Sequence, residues 1–395
     1  MKRDSLQIGK ICQPTRTCDP RRNPDKSFFY VDISSIDRDQ KTITDTSKIT
    51  GAEAPSRARK IIRSGDILVS TVRPNLNAVA IVPADLDSQI ASTGFCVLRP
   101  KPEVIDSKYL FYYSLTASFV DTLSAKVRGA HYPAVSDRDV KEIELPLPTI
   151  SEQRRIVEIL DQADALRKKR AEANAKADRI LPALFYKNFG DPATNPKGLD
   201  KKRLGDLIKV RSGNFLPAKD MDSEGQYPVY GGNGINGYHS EYMFEEPVIV
   251  LGRVGAYCGA VYYSEPNCWV TDNAIYVAEQ SDDLHPRYLT EALRVANLNQ
   301  YAGRAGQPLI SGSRIYPVEI LVPPPEDQET FARSIVNLHR DEKRRKDADD
   351  HIQKLFSVLL HHAFTGDLTA KWCEAHMQEL LAEIEEQAKV LKATK

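Results

Sequence analysis

The segment from Pro148 to Phe189 has a second copy 175 residues downstream. The first copy reads LPLPTISEQRRIVEILDQADALRKKR and runs on to LFYKNFGD; the second reads ILVPPPEDQETFARSIVNLHRDEKRR and runs on to LLHHAFTGD. In this register Gln153 meets Gln328, Glu144 meets Glu319, Pro148 meets Pro323, Arg170 meets Arg345 and Phe189 meets Phe364. Solenoid repeats recur every few tens of residues, so a period this long marks two halves of a duplicated architecture instead.

Each copy has the pattern of a long helix. Alternating steps of four and three pick out Ile156, Leu160, Ala163, Arg167, Arg170, Asn174, Ala177, Leu181 and Leu184 in the first copy. The same steps give Phe331, Ile335, Leu338, Glu342, Arg345, Asp349, Ile352, Phe356 and Leu359 in the second. That spacing is a coiled-coil seam, apolar at its ends and polar in its middle. Thr149 with Glu152 fits a capping box, and Gly190 and Gly366 fit helix stops. Pro182 inside the first helix predicts a kink near residue 178, because proline lacks an amide hydrogen and clashes one turn back. Matched helices behind matched segments predict an antiparallel pair. Its apolar ends would lock the rods, and its charged middle would face solvent or a partner.

The 395 residues suffice for two domains with cores of their own. Lys+Arg and Asp+Glu both number 54, which argues against a uniformly basic nucleic-acid coat while leaving room for a local patch. The six cysteines are scattered without a CxxC pair, so neither a zinc site nor a disulfide framework is indicated. Neither a signal peptide nor an apolar run of membrane length is present, so the expectation is a cytoplasmic protein with reduced thiols and no membrane contact.

Residues 1–147 carry short, turn-bounded apolar runs at Phe28–Ile33, Ile67–Val72, Ala78–Val82 and Phe95–Leu98, which read as strands. Ser107–Leu123 reads as one helix whose stripe of Tyr109, Leu110, Tyr112 and Tyr113 belongs to the core. Residues 203–322 echo this order: Arg73 in TVRPNLN falls against Arg253 in LGRVG, and Tyr109 against Tyr288.

The chemistry-bearing residues lie mostly in loops. Gly232–Gly237 matches GxGxxG, but the following YHSEYMFEEP suits a hairpin better than the helix a dinucleotide fold requires. The loop then supplies Asn233, Asn236, Tyr238 and His239, as a reading loop or as a plain turn. Asn can pair bidentately with adenine, and Arg with guanine or phosphate. On that ground Arg73, Asn75, Asn77, Arg253 and Tyr257 are DNA-contact candidates, with a surface salt bridge as the alternative for the arginines. Arg128 and His131, matched by Arg304 and Gln307, lie in polar glycine-containing loops and join them. Asp25, Asp106 and Lys108 form only a loose metal-nuclease pattern. The chain lacks GxxxxGK[ST] and the Asn/Asp-Pro-Pro-aromatic motif of amino-methyltransferases, and offers no nucleophile–base motif. It reads as a binding protein with no catalytic residue and no metal site.

The twice-found helix-start motif, the globule–helix–globule–helix order and the PVYGGNGINGY…VIVLGRVGAYCG stretch together resemble the specificity subunit of type I restriction-modification systems. The resemblance implies an α+β fold. Two α/β target recognition domains would be joined by a pair of long antiparallel helices with pseudo-two-fold symmetry. The segments would be recognition domain 1 (1–147), spacer helix 1 (148–190), recognition domain 2 (191–322), spacer helix 2 (323–366) and a charged helical tail (367–395) that the resemblance does not explain. Each recognition domain would read one half of a bipartite, asymmetric site in double-stranded DNA. The helices would set the spacing and dock two methylation subunits, with Gln153, Arg167, Arg170, Gln328, Glu342 and Arg345 as docking or spacer-helix residues. Restriction and translocation subunits would join to cut unmodified DNA. S-adenosylmethionine, ATP and Mg would be bound by those partners, leaving no cofactor to this chain. The rival readings are a stand-alone DNA-binding nuclease and a coiled-coil scaffold without a DNA role.

Overall fold

A computed structural model describes residues 5–129, 133–303 and 308–393, with side chains to residue 390. The chain divides into two compact units. Residues up to Glu172 together with those from Ala348 onward form unit 1; Ala173–Asp347 forms unit 2. Each long helix contributes residues to both.

In unit 1 one sheet has the strand order 12–13, 95–100, 67–70, 79–81, and a second has 47–50, 27–31, 90–92, 58–61. Unit 2 repeats the first sheet strand for strand as 208–212, 274–280, 249–252, 261–263. It repeats most of the second as 234–239, 227–231, 269–270. The second sheet of each unit contains one parallel pair, Tyr30 beside Ile90 in unit 1 and Val229 beside Trp269 in unit 2; the other pairs are antiparallel. Ile67–Ser70 and Ile249–Gly252 are buried along their whole length, as befits strands covered on both faces.

The aromatic stripe from Tyr109 to Tyr113 is core, as expected, but its helix is shorter than expected. It stops at Ser114, and a second helix begins at Ala117. Thr116 makes the break: its hydroxyl donates to Tyr113 O and accepts from Phe119 N–H, closing one helix and capping the next.

The first long helix runs from Ile150 to Ala177, breaks at Asp178–Arg179 and resumes from Ile180 to Phe189. Pro182 places the break where its missing N–H and ring demand it. The second, Pro325–Thr365, has proline only in its first turn and is unbroken over 41 residues. Gly190 (φ 80°) and Gly366 (φ 103°) end the two in backbone conformations that favour glycine.

Each unit receives the start of one long helix and the end of the other. In unit 1, Gln153 is fully buried; its Oε1 accepts from Asp106 N–H at 2.9 Å and its Nε2 donates to Val104 O and Pro148 O. In unit 2, Gln328 Oε1 accepts from His285 N–H at 2.8 Å while Nε2 donates to Asp283 O and Pro323 O. The helix ends are anchored by matched rings. Phe364 lies 5.1 Å from Tyr109 in unit 1, and Phe189 lies 5.0 Å from Tyr288 in unit 2. Tyr109 and Tyr288 donate to Pro146 O and Leu321 O, both at 2.8 Å.

The two helices run antiparallel within unit 1. Ile156 and Leu160 share a core with Phe356, Leu360 and Ala363. Farther along, Arg170 Nε donates to Asp349 at 3.0 Å, and Arg167 donates to Gln353 and to Asp164 while its guanidinium covers the Phe356 ring. In unit 2, Arg345 pairs with Asp178 at 3.6 Å. The polar middle was expected to face solvent or a partner. Arg167, Arg170 and Arg345 are instead engaged between helices, and of the six spacer candidates only Glu342 is exposed. Gln153 and Gln328 anchor helix starts, and burial leaves neither amide a surface for docking.

The tail forms helices at Ala370–Ala375 and Met377–Ala393 and belongs to unit 1. Leu380 is buried, Glu383 Oε1 accepts from Ser151 N–H at 3.0 Å, and Thr369 donates to the buried Glu152 carboxylate at 2.7 Å. The charged tail therefore satisfies one free amide in the first turn of the first long helix and pairs with a buried carboxylate there. No helix among the described residues is long and apolar enough to cross a membrane.

Candidate nucleic-acid interface

The candidate loops leave matched strand ends, Ser70 in unit 1 and Gly252 in unit 2. In unit 1, Thr71 N–H donates to Gly94 O, Val135 N–H donates to Thr71 O, Val72 bridges Ala134, Arg73 N–H donates to Pro133 O, and Leu76 N–H donates to Arg73 O. In unit 2, Arg253 N–H donates to Asn273 O, Ile310 N–H to Arg253 O, Val254 bridges Leu309, Gly255 N–H donates to Pro308 O, and Cys258 N–H to Gly255 O.

The two networks agree bond for bond, and they correct the sequence register. Arg253 occupies the place of Thr71, not Arg73. Arg73 occupies the place of Gly255, and Asn75 that of Tyr257. Backbone angles agree: Arg73 sits at φ 49° and Gly255 at φ 78°, both left-handed. Two arginines read as equivalent thus stand at different points of one loop and do different work. Arg253 is half-buried and donates to Ser212 Oγ at 3.1 Å and Asp272 O at 3.4 Å, bracing three loops. Arg73 is exposed, as is Asn75, and no bond from the Arg73 guanidinium occurs among the described residues. Asn77, also left-handed at φ 44°, closes the turn by donating to Pro74 O.

Around the unit 2 loop stands the glycine-rich segment, folded as the hairpin its spacing predicts. Tyr227–Gly231 pairs with Gly234–His239 across the two-residue turn Gly232–Asn233. A Cβ at Gly231 would lie 2.0 Å from Asn236 Nδ2, so a side chain there would require the exposed Asn236 side chain to move. Asn233, Asn236 and Tyr238 are exposed. His239 is half-buried against Trp269, ring centroids 5.4 Å apart, and its buried Nδ1 meets no hydrogen-bond partner among the described residues.

Arg128 has an exposed side chain 3.4 Å from Asp139, whose carboxyl the Ser136 hydroxyl and amide hold below its ordinary range. Its bridge to Ala134 is matched by Gly303 with Leu309. His131, Arg304 and Gln307 lie outside the described residues.

Sequence reasoning missed two groups. The place of the unit 2 glycine turn is taken in unit 1 by the much longer connection from Val31 to Ser47, which carries a small hairpin of Ile36–Asp37 with Thr42–Ile43. Arg38 is exposed at its tip, and Lys41 Nζ donates to Asn77 O at 2.6 Å, tying it to the Arg73 loop. Burial, and next the nearby Arg167 charge, hold Lys41 below its ordinary value. The only sequence signal was DRDQK between short apolar pairs. Phe215, 74% exposed, was also missed, because an isolated aromatic in a polar stretch has no pattern.

The loose nuclease pattern has structural employment: Asp106 caps the helix at Ser107, and Lys108 pairs with Asp161 at 2.6 Å. No group of three or more His, Cys, Asp or Glu fit to hold a metal ion occurs among the described residues.

Two units of one plan, each offering a loop platform of differing side chains on a common backbone, define a tandem recognition protein. Residues 19–175 and 196–347 each match the family model described as type I restriction modification DNA specificity domain. The chain belongs to this family, as a two-domain specificity subunit that recognises DNA sequence. It is similar to the type I restriction enzyme EcoprrI specificity subunit of Escherichia coli, 26% identical over 68% of this chain and 70% of that protein. A solved chain from a study of complex assembly and conformational transition of the type I R-M system is 29% identical, with TM-score 0.61 over 93% of this chain and 100% of that one. The S subunit from M. genitalium, 16% identical with TM-score 0.57 over 92% of this chain and 96% of that one, shares the fold.

Proposed function

We propose that the two units read the two halves of a bipartite site in double-stranded DNA, and that the long helices fix the gap between halves and dock two methylation subunits. The observation that carries this reading is the loop framework common to both units. An invariant set of backbone bonds displays Arg73 and Asn75 in one unit and Gly255 and Tyr257 in the other, as expected of readers of different sequences. The chain itself acts without catalysis. Methyl transfer from S-adenosylmethionine, and any ATP- and Mg-dependent cutting, belong to partner subunits. Docking on the helices is supported by exposed leucines beside the seam in unit 1, Leu166 at 66% and Leu355 at 62% exposure. Partners of that kind are supported too by the likeness, along nearly the whole chain, to a protein solved in work on type I R-M complex assembly.

The test is methylome mapping in cells that express the chain with its methylation partner. Replacing residues 203–322 with the matching segment of a relative changes one half-site and leaves the other. A change in both halves refutes modular reading. Removing two or more turns from both helices shortens the gap, and an unchanged gap refutes the ruler.

A further inference from the structure

At one matched position unit 2 exposes an aromatic ring where unit 1 exposes a polar side chain, and a second exposed ring stands on a neighbouring loop of unit 2. Tyr257, 57% exposed, stands at the position of Asn75, and Phe215 at 74% is the most exposed large hydrophobic side chain among the described residues. Both belong to the loop end that carries Arg253. Asn214, next to Phe215, donates its N–H to Val270 O at 2.9 Å, and its carbonyl accepts from Trp269 Nε1 at 3.4 Å. Arg253 ties Ser212 of the same strand end to Asp272. The Tyr257 carbonyl accepts from Ala260 N–H and lies 2.2 Å from where a Cβ would stand on Gly252; the Gly232 carbonyl of the hairpin turn lies 2.5 Å from the same point. The loops bearing Phe215, the Gly232 turn and Tyr257 therefore meet at one end of the unit.

Single exposed apolar side chains are ordinary, but two exposed rings on one braced loop end form the kind of surface that marks a binding site. Phe215 has no atom that can read a base edge by hydrogen bonding. What a ring can do on DNA is stack on a base face or wedge between base steps. The exposed Asn233 and Asn236 of the adjoining hairpin suit a hydrogen-bonding surface. We infer that Phe215 and Tyr257 unstack a base step in the half-site read by unit 2, whereas unit 1, with Arg73 and Asn75, reads its half-site as intact duplex. This rests on the DNA-reading function proposed above and adds a mechanism to it: sequence preference in one half-site comes partly from how readily its steps open.

The test uses the full chain assembled with its methylation subunits on duplex DNA carrying the mapped target, with 2-aminopurine or pyrrolocytosine placed in turn at each step. Fluorescence is expected to rise several-fold at a step within the unit 2 half-site other than the methylated adenine, with no such rise in the other half-site. Phe215→Ala and Tyr257→Ala each remove most of that rise, and Tyr257→Phe retains it; both positions are exposed, so folding is preserved. Tight binding without the rise, or a rise that survives both alanine substitutions, overturns the inference. So does lost assembly of methylation subunits in these variants with the rise unchanged, which would assign the rings to a protein contact. Absence of target binding by the native assembly sinks the DNA-reading function itself, a result distinct from binding without unstacking.

Discussion

Gln153 and Gln328 make the same three hydrogen bonds in their respective units: one accepted from the N–H of a helix N-cap and two donated to backbone carbonyls. Both side chains are fully buried. A primary amide suits this post because it donates twice and accepts once in a fixed plane.

Replacing Gln153 with leucine leaves Asp106 N–H and Val104 O without their side-chain partner, and leaves Pro148 O with only the longer bond from Gln387 Nε2 at 3.4 Å. The expected loss is at least about 2 kcal/mol in urea unfolding, since buried orphan groups retain their desolvation cost. Gln328→Leu should do the same in unit 2, and Gln→Glu should be no milder, because a carboxylate would face two carbonyls. A loss below about 0.5 kcal/mol would count against the buried-amide account.

Arg73 holds a left-handed backbone that a side chain disfavours by roughly 1–2 kcal/mol, whereas Gly255 holds it freely. Arg73→Gly should therefore leave thermal stability unchanged or raised while relaxing recognition of one half-site in methylome maps. Gly255→Ala should lower stability by about 1–2 kcal/mol. Equal effects of the two substitutions on stability would contradict the matched register.

The N-cap equivalent to Asp106 is His285, whose Nδ1 accepts from Arg287 N–H. Burial lowers its pKa, against the opposing pull of Glu329. His339 is lowered by burial as well. A depressed histidine is neutral when folded while the unfolded chain takes up a proton. Stability of unit 2 should thus be full above the ordinary histidine value of 6.5 and fall as pH drops from there through the lowered value. Buried Glu291, raised by its burial, works in the opposite sense at lower pH. His285→Asp should flatten the loss between pH 7 and the carboxylate range, as followed by hydrogen exchange resolved to each unit. An unaltered profile in that variant would remove His285 from the explanation.

The tail meets the first turn of the long helix through Glu383, and Leu380 is buried in the same unit. Leu380→Ala should destabilise unit 1 by about 2–3 kcal/mol. Glu383→Ala should cost less, on the order of 1 kcal/mol, because it removes a cap and an acidic group at a helix start. Chemical denaturation followed in unit 1 checks both; an inert Leu380→Ala would mean the burial of this side chain does not stabilise unit 1.

Legible in the chain before folding were the duplication, the two long helices with their stops, the break at Pro182 and the burial of Tyr109. Each of these is written in local periodicity or in the backbone chemistry of a single residue. Tertiary structure decided the rest. Arg73 and Arg253 align by eye, but the pairing of loop to strand shifts them two residues apart in role, because hydrogen bonds to distant segments such as Pro133 and Pro308 set the register. The polar middle of the helices reads as solvent-facing until its charges are seen to find partners on a helix far away in sequence, as Arg170 finds Asp349. Contacts between residues remote in the chain leave no periodic trace in either partner, so only folding brings them to view.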